Sequence, residues 1–197
     1  MASIFLFDLS AGAVIPQDSG YLLLSALTDR FPFLHGRRSI QIAPIRGTRL
    51  RRPEFICTDH NSRLHIRGIT TDQADQIQGS WVIVHTNVLG IGDYRELEMT
   101  GSTDLVSKLV ILRDIVDAEE FKKTIEQFVP GAQITLGRRR ALALKGRKYL
   151  GYSVHLKGLS MDASLAVQNK GIGRFTSMGC GVFYPGSKNS RAASRHA

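Results

Sequence analysis

Residues 171–181 read GIGRFTSMGCG, which is two Gly-x-Gly pairs separated by five residues. Glycine takes positive φ angles without steric cost and lets the backbone approach a ligand or a neighbouring strand closely. Exposed N–H groups in such a loop are well suited to phosphate oxygens. The pattern therefore predicts either a phosphate-binding loop or a glycine-rich turn between a helix and a last strand, and its spacing fits both.

The chain has 197 residues and 43% hydrophobic content, enough for one large globular domain or two small ones. It has no apolar run of membrane-spanning length and no secretory signal at its start, so we expect a cytoplasmic protein. The two cysteines, Cys57 and Cys180, lie far apart and have no metal-ligand spacing around them. We therefore expect no disulfide, no metal site and no cofactor.

The net charge of +9 is concentrated in the last third of the chain. Residues 1–136 carry 14 Lys or Arg against 16 Asp or Glu, whereas residues 137–197 carry 12 against one. Such an asymmetry attracts a polyanion, and nucleic acid is the partner we expect first. An acidic protein surface comes second, and a membrane surface is a distant third because no basic amphipathic helix accompanies the charge.

Hydrophobic periodicity predicts the order β, α, β, β, α, β within residues 1–92. The helices are expected to begin after Asp18 or Ser19 and after Thr70 or Thr71. The strands are expected near residues 4–9, 39–45, 62–68 and 81–85, with an irregular basic excursion at 46–61 and a connector at 90–101. The third strand is predicted to have a cationic outer face formed by Arg63, His65 and Arg67, on which His65 either contacts RNA or is merely solvated.

Residues 93–185 repeat that order, with helices capped by Asp117 and Ser160. The strands are expected at 105–112, 133–136, 141–144, 149–157 and 180–184, and a basic hairpin lies around the arginines of residues 138–140. Residues 186–197 form a polar basic tail that we expect to be disordered. The predicted fold class is α+β, with two tandem ferredoxin-like (RRM-like) βαββαβ domains at 1–92 and 93–185.

The glycine stretch resembles the Gly-hydrophobic-Gly, five residues, Gly-hydrophobic-Gly signature of the CRISPR repeat-processing endoribonucleases of the RAMP superfamily, the sixth Cas family. Other stretches are similar to the Myxan-type branch of that family: DSGY at 18–21 with LHG at 34–36, PIRG at 44–47, and GRRR at 137–140 with KG at 145–146. The resemblance covers residues 1–185. It favours the functional interpretation of the glycine loop over the simple turn.

The resemblance implies a protein of two ferredoxin-like domains that binds the hairpin of a CRISPR repeat RNA and cuts it at its 3′ base without metal. The cut would proceed by attack of a 2′-hydroxyl and leave a cyclic phosphate. The guide RNA product would stay bound while the protein serves as a subunit of a Cascade-type complex with other Cas proteins. The alternatives are a non-catalytic RNA-binding module and, more remotely, an assembly protein that meets an acidic partner.

Metal-free RNA cleavage needs a proton acceptor, a proton donor and cations around the phosphate. His35 is the first catalytic candidate because it follows the first helix, precedes basic residues and matches a family position. Tyr21 and Ser19 are secondary candidates. Relatives often carry histidine where Ser19 stands, so a slow enzyme or an inactive RNA-binding cap of the crRNA 3′ stem-loop is the alternative function. His85 and His155 are expected to be structural.

The predicted RNA-binding residues are basic side chains in three clusters together with the glycine loop. Base-paired RNA is recognised mostly through its phosphates and its shape, which suits such clusters. The set is Arg37, Arg38, Arg46, Arg49, Arg51, Arg52, Arg138, Arg139, Arg140, Lys145, Arg147, Lys148, Gly171, Gly173, Arg174, Gly179 and Gly181.

Overall fold

The computed structural model describes residues 3–37 and 39–186. The strands of that part are β1 (Ser3–Leu9), β2 (Val14–Pro16), β3 (Gln41–Ile42), β4 (Thr48–Arg49), β5 (Phe55–Cys57), β6 (Arg63–Arg67), β7 (Trp81–Val84), β8 (Asn87–Glu98), β9 (Asp104–Val110), β10 (Gln133–Leu144), β11 (Arg147–Lys157) and β12 (Tyr184–Pro185). The helices are α1 (Gly20–Arg30), α2 (Thr71–Ile77), α3 (Ala118–Phe128) and α4 (Met161–Lys170). Arg38 and residues 187–197 of the predicted tail lie outside the described residues.

The first unit is built on an antiparallel sheet in the order β3-β6-β1-β8-β7. The central strand β1 pairs with β6 on one side and with β8 on the other. Leu23 and Leu27 of α1 and Ile77 of α2 belong to the same buried cluster as Phe5 and Phe7 of β1. Full burial of each such side chain contributes about 1.5–3 kcal/mol, so the helices are fixed on the sheet by this core. The order β3-β6-β1-β8 is that of the predicted ferredoxin-like fold.

The fourth strand of this unit differs from the prediction. Residues 81–84 form the edge strand β7 as expected, but the strand beside β1 is β8, which covers most of the stretch predicted to be a connector. Strand β8 is exposed along its last four residues, so it lacks the apolar pattern that identifies a strand. The strand also crosses the expected domain boundary at residues 92 and 93, and the connection to the second unit is residues 99–103.

The basic segment of residues 46–61 is also better ordered than predicted. Its strands β4 and β5 form a small three-stranded sheet with β2, in the order β2-β5-β4. Ile15 and Ile56 of this sheet are buried in the core of the first unit. The short sheet thus anchors a basic hairpin whose arginines remain exposed.

The second unit has a sheet in the order β10-β11-β9-β12, the same topology as strands β3-β6-β1-β8 of the first. Its core includes Phe121 and Ile125 of α3 and Phe183 next to β12. The arginines of residues 138–140 lie within the continuous strand β10 and not in a turn between two short strands; a register irregularity falls between Leu136 and Arg139. Two tandem ferredoxin-like units are therefore confirmed.

Three of the four helices begin at side-chain caps that local chemistry predicts. Thr70 forms a capping box with Gln73 at the start of α2, and Asp117 and Ser160 accept backbone N–H bonds at the starts of α3 and α4. Ser19 precedes α1 but makes no side-chain capping bond. A side-chain cap contributes about 1 kcal/mol, which explains why these boundaries are readable from sequence.

The two units meet through buried polar side chains of the first. Arg67, only 2% exposed, donates through Nη1 to the carbonyl oxygens of Gln168 at 2.8 Å and Phe183 at 3.0 Å. Gln41 donates to the carbonyl oxygen of Asn169 at 2.6 Å. The guanidinium of Arg67 also lies over the ring of Tyr184, 4.5 Å from its centroid. The predicted cationic outer face of β6 is therefore wrong at Arg67, because that position is buried against the second unit.

No helix in residues 3–37 and 39–186 is long and apolar enough to cross a membrane. The same residues contain no group of three or more His, Cys, Asp and Glu side chains placed to hold a metal ion.

Candidate nucleic-acid interface

One cleft joins the first unit to the second and contains His35. We call it the His35 cleft; its volume is about 920 Å³. One wall is the face of α1 that carries Tyr21, Ser25 and Thr28, positions spaced so that they share one side of a helix. The opposite wall comes from the glycine stretch and from the turn between β10 and β11. Residues from both units are therefore needed to form this cleft.

His35 follows a single 3₁₀ turn, Pro32–Leu34, and its own N–H donates to the carbonyl oxygen of Pro32 at 3.0 Å. Its side chain is exposed, and its ring has no hydrogen-bond partner within the described part of the chain. The backbone is thus fixed while the imidazole faces the cleft without a competing contact. A proton-transfer group must be within reach of its substrate, and an exposed imidazole at the cleft is accessible in this way.

Tyr21 is the predicted residue that shares the cleft wall with a cation from the second unit. The ammonium group of Lys145 lies 5.8 Å from the centroid of the Tyr21 ring. Lys145 and Gly146 form the two-residue turn between β10 and β11, with φ angles of 49° and 75°. Positive φ at both positions is typical of a type I′ hairpin turn. The turn places a lysine of the second unit beside a tyrosine of the first.

Arg174 contributes a second cation to the His35 cleft, and its guanidinium is held by aromatic rings. The guanidinium carbon lies 4.8 Å from the centroid of Phe175 and 5.5 Å from that of Tyr149. The backbone N–H of Arg174 donates to the carbonyl oxygen of Ile111 at 2.8 Å. Both the backbone and the side chain of this arginine are therefore positioned before any ligand binds.

Arg37 also lines the cleft and donates to the side chain of Gln73 at 3.3 Å. Two exposed cations of the cleft, Arg113 and Lys170, were missed by the sequence analysis. Lys170 ends α4 three residues before Gly173, so its closeness to the glycine stretch was a usable signal. Arg113 comes from the loop after β9, and no local pattern relates that loop to α1.

A second, smaller cleft of about 310 Å³ lies between the units on the other side of the glycine stretch. We call it the Lys108 cleft. Arg46 and Arg49 of the first unit and Lys108 and Arg140 of the second line it, together with Asp18. Burial lowers the pKa of Lys108, and the charges of Arg46, Arg140 and Arg49 lower it further. Cations that repel one another in this way favour a bound anion.

The glycine stretch forms the wall between the two clefts. Its glycines allow close packing of the backbone as well as exposure to the clefts. All four have positive φ angles. The N–H groups of Gly171, Gly179 and Gly181 donate to the carbonyl oxygens of Val167, Thr176 and Leu109. Those three N–H groups are therefore not available to phosphate, contrary to the interpretation of the whole stretch as exposed.

Gly173 is the exposed glycine of the four, and it lines the His35 cleft. A side chain at Gly173 would place its Cβ 2.4 Å from the carbonyl oxygen of Ile111, and one at Gly179 would place it 2.6 Å from Cδ of Pro44. A Cβ added to Gly20, at the start of α1, would lie 2.2 Å from the carbonyl oxygen of Met178. The glycines thus let α1 and both units approach one another.

Ser19 does not join the other two catalytic candidates. It is 3% exposed and is absent from the lining of the His35 cleft, whereas Tyr21 and His35 both line it. The structure therefore brings together His35 and Tyr21 and leaves Ser19 beneath the start of α1.

Six of the predicted basic residues line neither cleft. Arg138, Arg139, Arg147 and Lys148 are exposed on β10 and β11 outside the lining of either cleft. Arg51 and Arg52 line a separate pocket of the first unit. Arg38 lies outside the described residues.

Three other histidines have different surroundings. His85 is exposed in the turn between β7 and β8, so its predicted place within a strand is wrong. His155 pairs with Asp104, which agrees with a structural role. Burial lowers the pKa of His65 to about 4, with smaller contributions from the charges of Arg46, Arg67 and Arg63.

The comparisons with known proteins agree with this architecture. A family model described as Cas6 Crispr matches residues 5–188. The CRISPR-associated endonuclease Cas6 of Myxococcus xanthus (strain DK1622) is 31% identical over 190 residues, which cover 93% of this chain and 81% of that protein.

Among solved structures, a CRISPR associated protein Cas6 superposes with a TM-score of 0.69 at 14% identity, covering 94% of this chain and 100% of the other. A RAMP protein that binds different RNA substrates superposes with a TM-score of 0.66 at 12% identity, covering 93% and 98%. These two similarities are similarities of fold.

Proposed function

Because this chain belongs to the Cas6 family of CRISPR-associated endonucleases, we propose that it processes precursor CRISPR RNA by binding the repeat hairpin and cutting it at its 3′ base. The observation that carries the proposal is the His35 cleft, where His35 and Tyr21 of one unit face Lys145 and Arg174 of the other. The relative from Myxococcus xanthus is an endonuclease. The family supports the proposed substrate class, and the His35 cleft supports the proposed position of the chemistry.

The reaction we propose is an in-line attack of a ribose 2′-hydroxyl on its own 3′ phosphate. A bond forms between the 2′-oxygen and phosphorus as the bond from phosphorus to the 5′-oxygen breaks. The products are a 2′,3′-cyclic phosphate and a free 5′-hydroxyl. One proton leaves the 2′-hydroxyl and one reaches the 5′-oxygen, so the step needs an acceptor, a donor and cations but no metal.

We assign the proton acceptor to His35, since a histidine ring ordinarily titrates near neutrality and this one has a free side chain at the cleft. The hydroxyl of Tyr21 is assigned to the leaving 5′-oxygen. Lys145 and Arg174 offset the charge that develops on the phosphate. Removal of one such donor from an active site typically lowers the rate by about 100- to 1,000-fold.

The double-stranded part of the hairpin is assigned to exposed cations outside the cleft. These cations lie on the paired strands β10 and β11, which are joined by the Lys145 turn. They are Arg138, Arg139, Arg147 and Lys148. The β-hairpin formed by β10 and β11 therefore offers several positive charges to the phosphates of one RNA stem. The stem would then lead directly to the His35 cleft.

A second proposal concerns the fate of the product. The guide RNA would remain bound through its 3′ stem-loop, and the protein would act as a subunit of a Cascade-type complex with other Cas proteins in the cytoplasm. The net charge of +9 supports prolonged binding to RNA. Size-exclusion chromatography of a completed cleavage reaction tests retention: the 5′ product is expected to elute with the protein.

The alternative is a protein that caps the stem-loop without cutting it, and Ser19 is the feature that favours it. Cleavage of the cognate repeat hairpin in EDTA separates the two functions, because only the enzyme yields product. The critical variant is His35→Ala, expected to bind the hairpin but not to cut it.

A matched control is His60→Ala. His60 is another exposed histidine of the first unit, and it lies outside the lining of both clefts. The control should cut like the wild type. Tight hairpin binding by the wild type with no product would support the cap function.

A further inference from the structure

A third pocket, of about 570 Å³, lies on the first unit and shares no lining residue with either cleft. We call it the Phe55 pocket. It opens between the loop joining β4 to β5 and the turn joining β7 to β8. Its lining consists of Val14, Leu50, Arg51, Arg52, Phe55, the turn residues His85 and Thr86, and Asn87. None of these residues takes part in the cleavage step proposed above.

Two rings form the inner surface of the pocket. The centroids of the Phe55 ring and the His85 imidazole are 6.1 Å apart, and their planes are inclined at 43°. Phe55 is half-buried and His85 is exposed. A flat group that enters the pocket can therefore stack on either ring, and unpaired nucleobases are the flat groups that RNA-binding proteins hold on Phe and His side chains.

His85 is held in an unfavourable backbone conformation. It is the first residue of the two-residue turn between Val84 and Asn87, and its φ angle is 60°. The left-handed region costs a residue other than glycine about 1–2 kcal/mol, and such strain tends to occur at binding sites. Glycine at this position would relieve the backbone strain, yet the chain has a histidine there, and this histidine lines the pocket.

Two cations line the pocket together with the rings. Arg51 and Arg52 are exposed, and within the described residues neither is paired with a carboxylate. They lie on the same hairpin as Arg46 and Arg49, which line the Lys108 cleft. One basic hairpin therefore connects the cleft between the units to the Phe55 pocket.

We propose that the Phe55 pocket binds a nucleotide of the single-stranded RNA that flanks the repeat hairpin. The base stacks on Phe55 or His85, and the adjoining phosphates contact Arg51 and Arg52. This inference rests on the proposed function, since it assumes a repeat RNA as the ligand. A base within a duplex stem cannot reach the rings, so only an unpaired segment fits. A purely apolar protein segment would leave both guanidinium groups without a partner.

The test compares the affinity of the protein for three RNAs: the bare repeat hairpin, and the hairpin with about eight unpaired nucleotides at its 5′ or its 3′ end, a length within the usual site size. Two variants remove one ring each. Phe55→Leu keeps the apolar wall, and His85→Gly also relieves the strained φ angle, so both are expected to fold.

With the wild type, one extension should tighten binding. The variant that removes the ring on which the base stacks should lose about 5- to 150-fold in affinity for that extended RNA, the effect of one stacked base. Affinity for the bare hairpin and its cleavage rate should not change. These two readouts separate failure of the pocket proposal from failure of the proposed function, because the latter would appear as absent cleavage of the bare hairpin by the wild type.

The double variant Arg51→Gln/Arg52→Gln supplies a second measurement. Loss of two phosphate contacts to a single strand should reduce the salt dependence of binding, d log K/d log[salt], by about 1.4 for the extended RNA alone.

Equal binding of the extended RNA by the wild type and all variants would overturn the proposal. If the variants bound every RNA normally but no longer co-purified with other Cas proteins, the pocket would be a protein-docking site and the proposal would likewise fail.

Discussion

Replacing Gly179 by alanine tests whether the glycine stretch acts as a wedge between the two units. The φ angle of Gly179 is 86°, and an added Cβ would lie 2.6 and 2.7 Å from Cδ and Cγ of the Pro44 ring. That ring is rigid and cannot swing away as a flexible side chain would. The substitution therefore combines backbone strain of about 1–2 kcal/mol with overpacking of about 1–3 kcal/mol.

Gly158→Ala is the matched control for this variant. Gly158 has a similar φ angle of 75°, but an added Cβ there would have no atom within 4 Å. It should lose about 1–2 kcal/mol in free energy of unfolding, whereas Gly179→Ala should lose about 2–5 kcal/mol. In urea titrations, a difference of about 2 kcal/mol moves the midpoint by about 1 M at a typical slope. Equal losses in the two variants would refute the tight approach of the glycine stretch to Pro44.

Three further predictions concern single side chains. The pKa of His65 is about 4 in the folded state and 6.5 without burial, so its contribution to stability is complete above pH 6.5 and is lost as the pH falls toward 4. His65→Gln should therefore remove up to about 3 kcal/mol of the acid destabilisation measured by urea unfolding, and an unchanged pH dependence would contradict this. Burial raises the pKa of the Cys180 thiol to about 12, so iodoacetamide near pH 8 should label one cysteine of the native protein and two in denaturant; two labels on the native protein would argue against burial. Lys145→Asn, which removes the cation but tolerates positive φ, should lower the cleavage rate about 100-fold with little change in the free energy of unfolding, and a normal rate would exclude Lys145 from the reaction.

Features of the fold that depend on neighbouring residues were predictable from the sequence. The helix starts at Thr70, Asp117 and Ser160 follow from hydrogen bonds within one turn of chain. The tandem ferredoxin-like topology followed from the order of these elements. Strand β8 was not predictable, because its second half is exposed and is ordered by pairing with β1, which is remote in sequence.

The candidate site was predictable only in part, because the sequence does not show which residues the two units bring together. The family resemblance selected His35 and Tyr21, and the structure places both in one cleft. The sequence could not show that Arg67 is buried, because its alternation with Ile66 predicts only two faces and does not say which face meets the second unit. Nor could it separate the arginines of the Lys108 cleft from those of the Phe55 pocket, since both pairs lie within one short hairpin.

The most direct test is a cleavage assay on the cognate repeat hairpin in EDTA, with wild type, His35→Ala and the control His60→Ala. We predict that the wild type and the control release a 5′ fragment ending in a 2′,3′-cyclic phosphate, and that His35→Ala binds the hairpin with normal affinity and leaves it intact. Cleavage that requires a divalent metal, or unchanged cleavage by His35→Ala, would contradict the mechanism assigned to the His35 cleft.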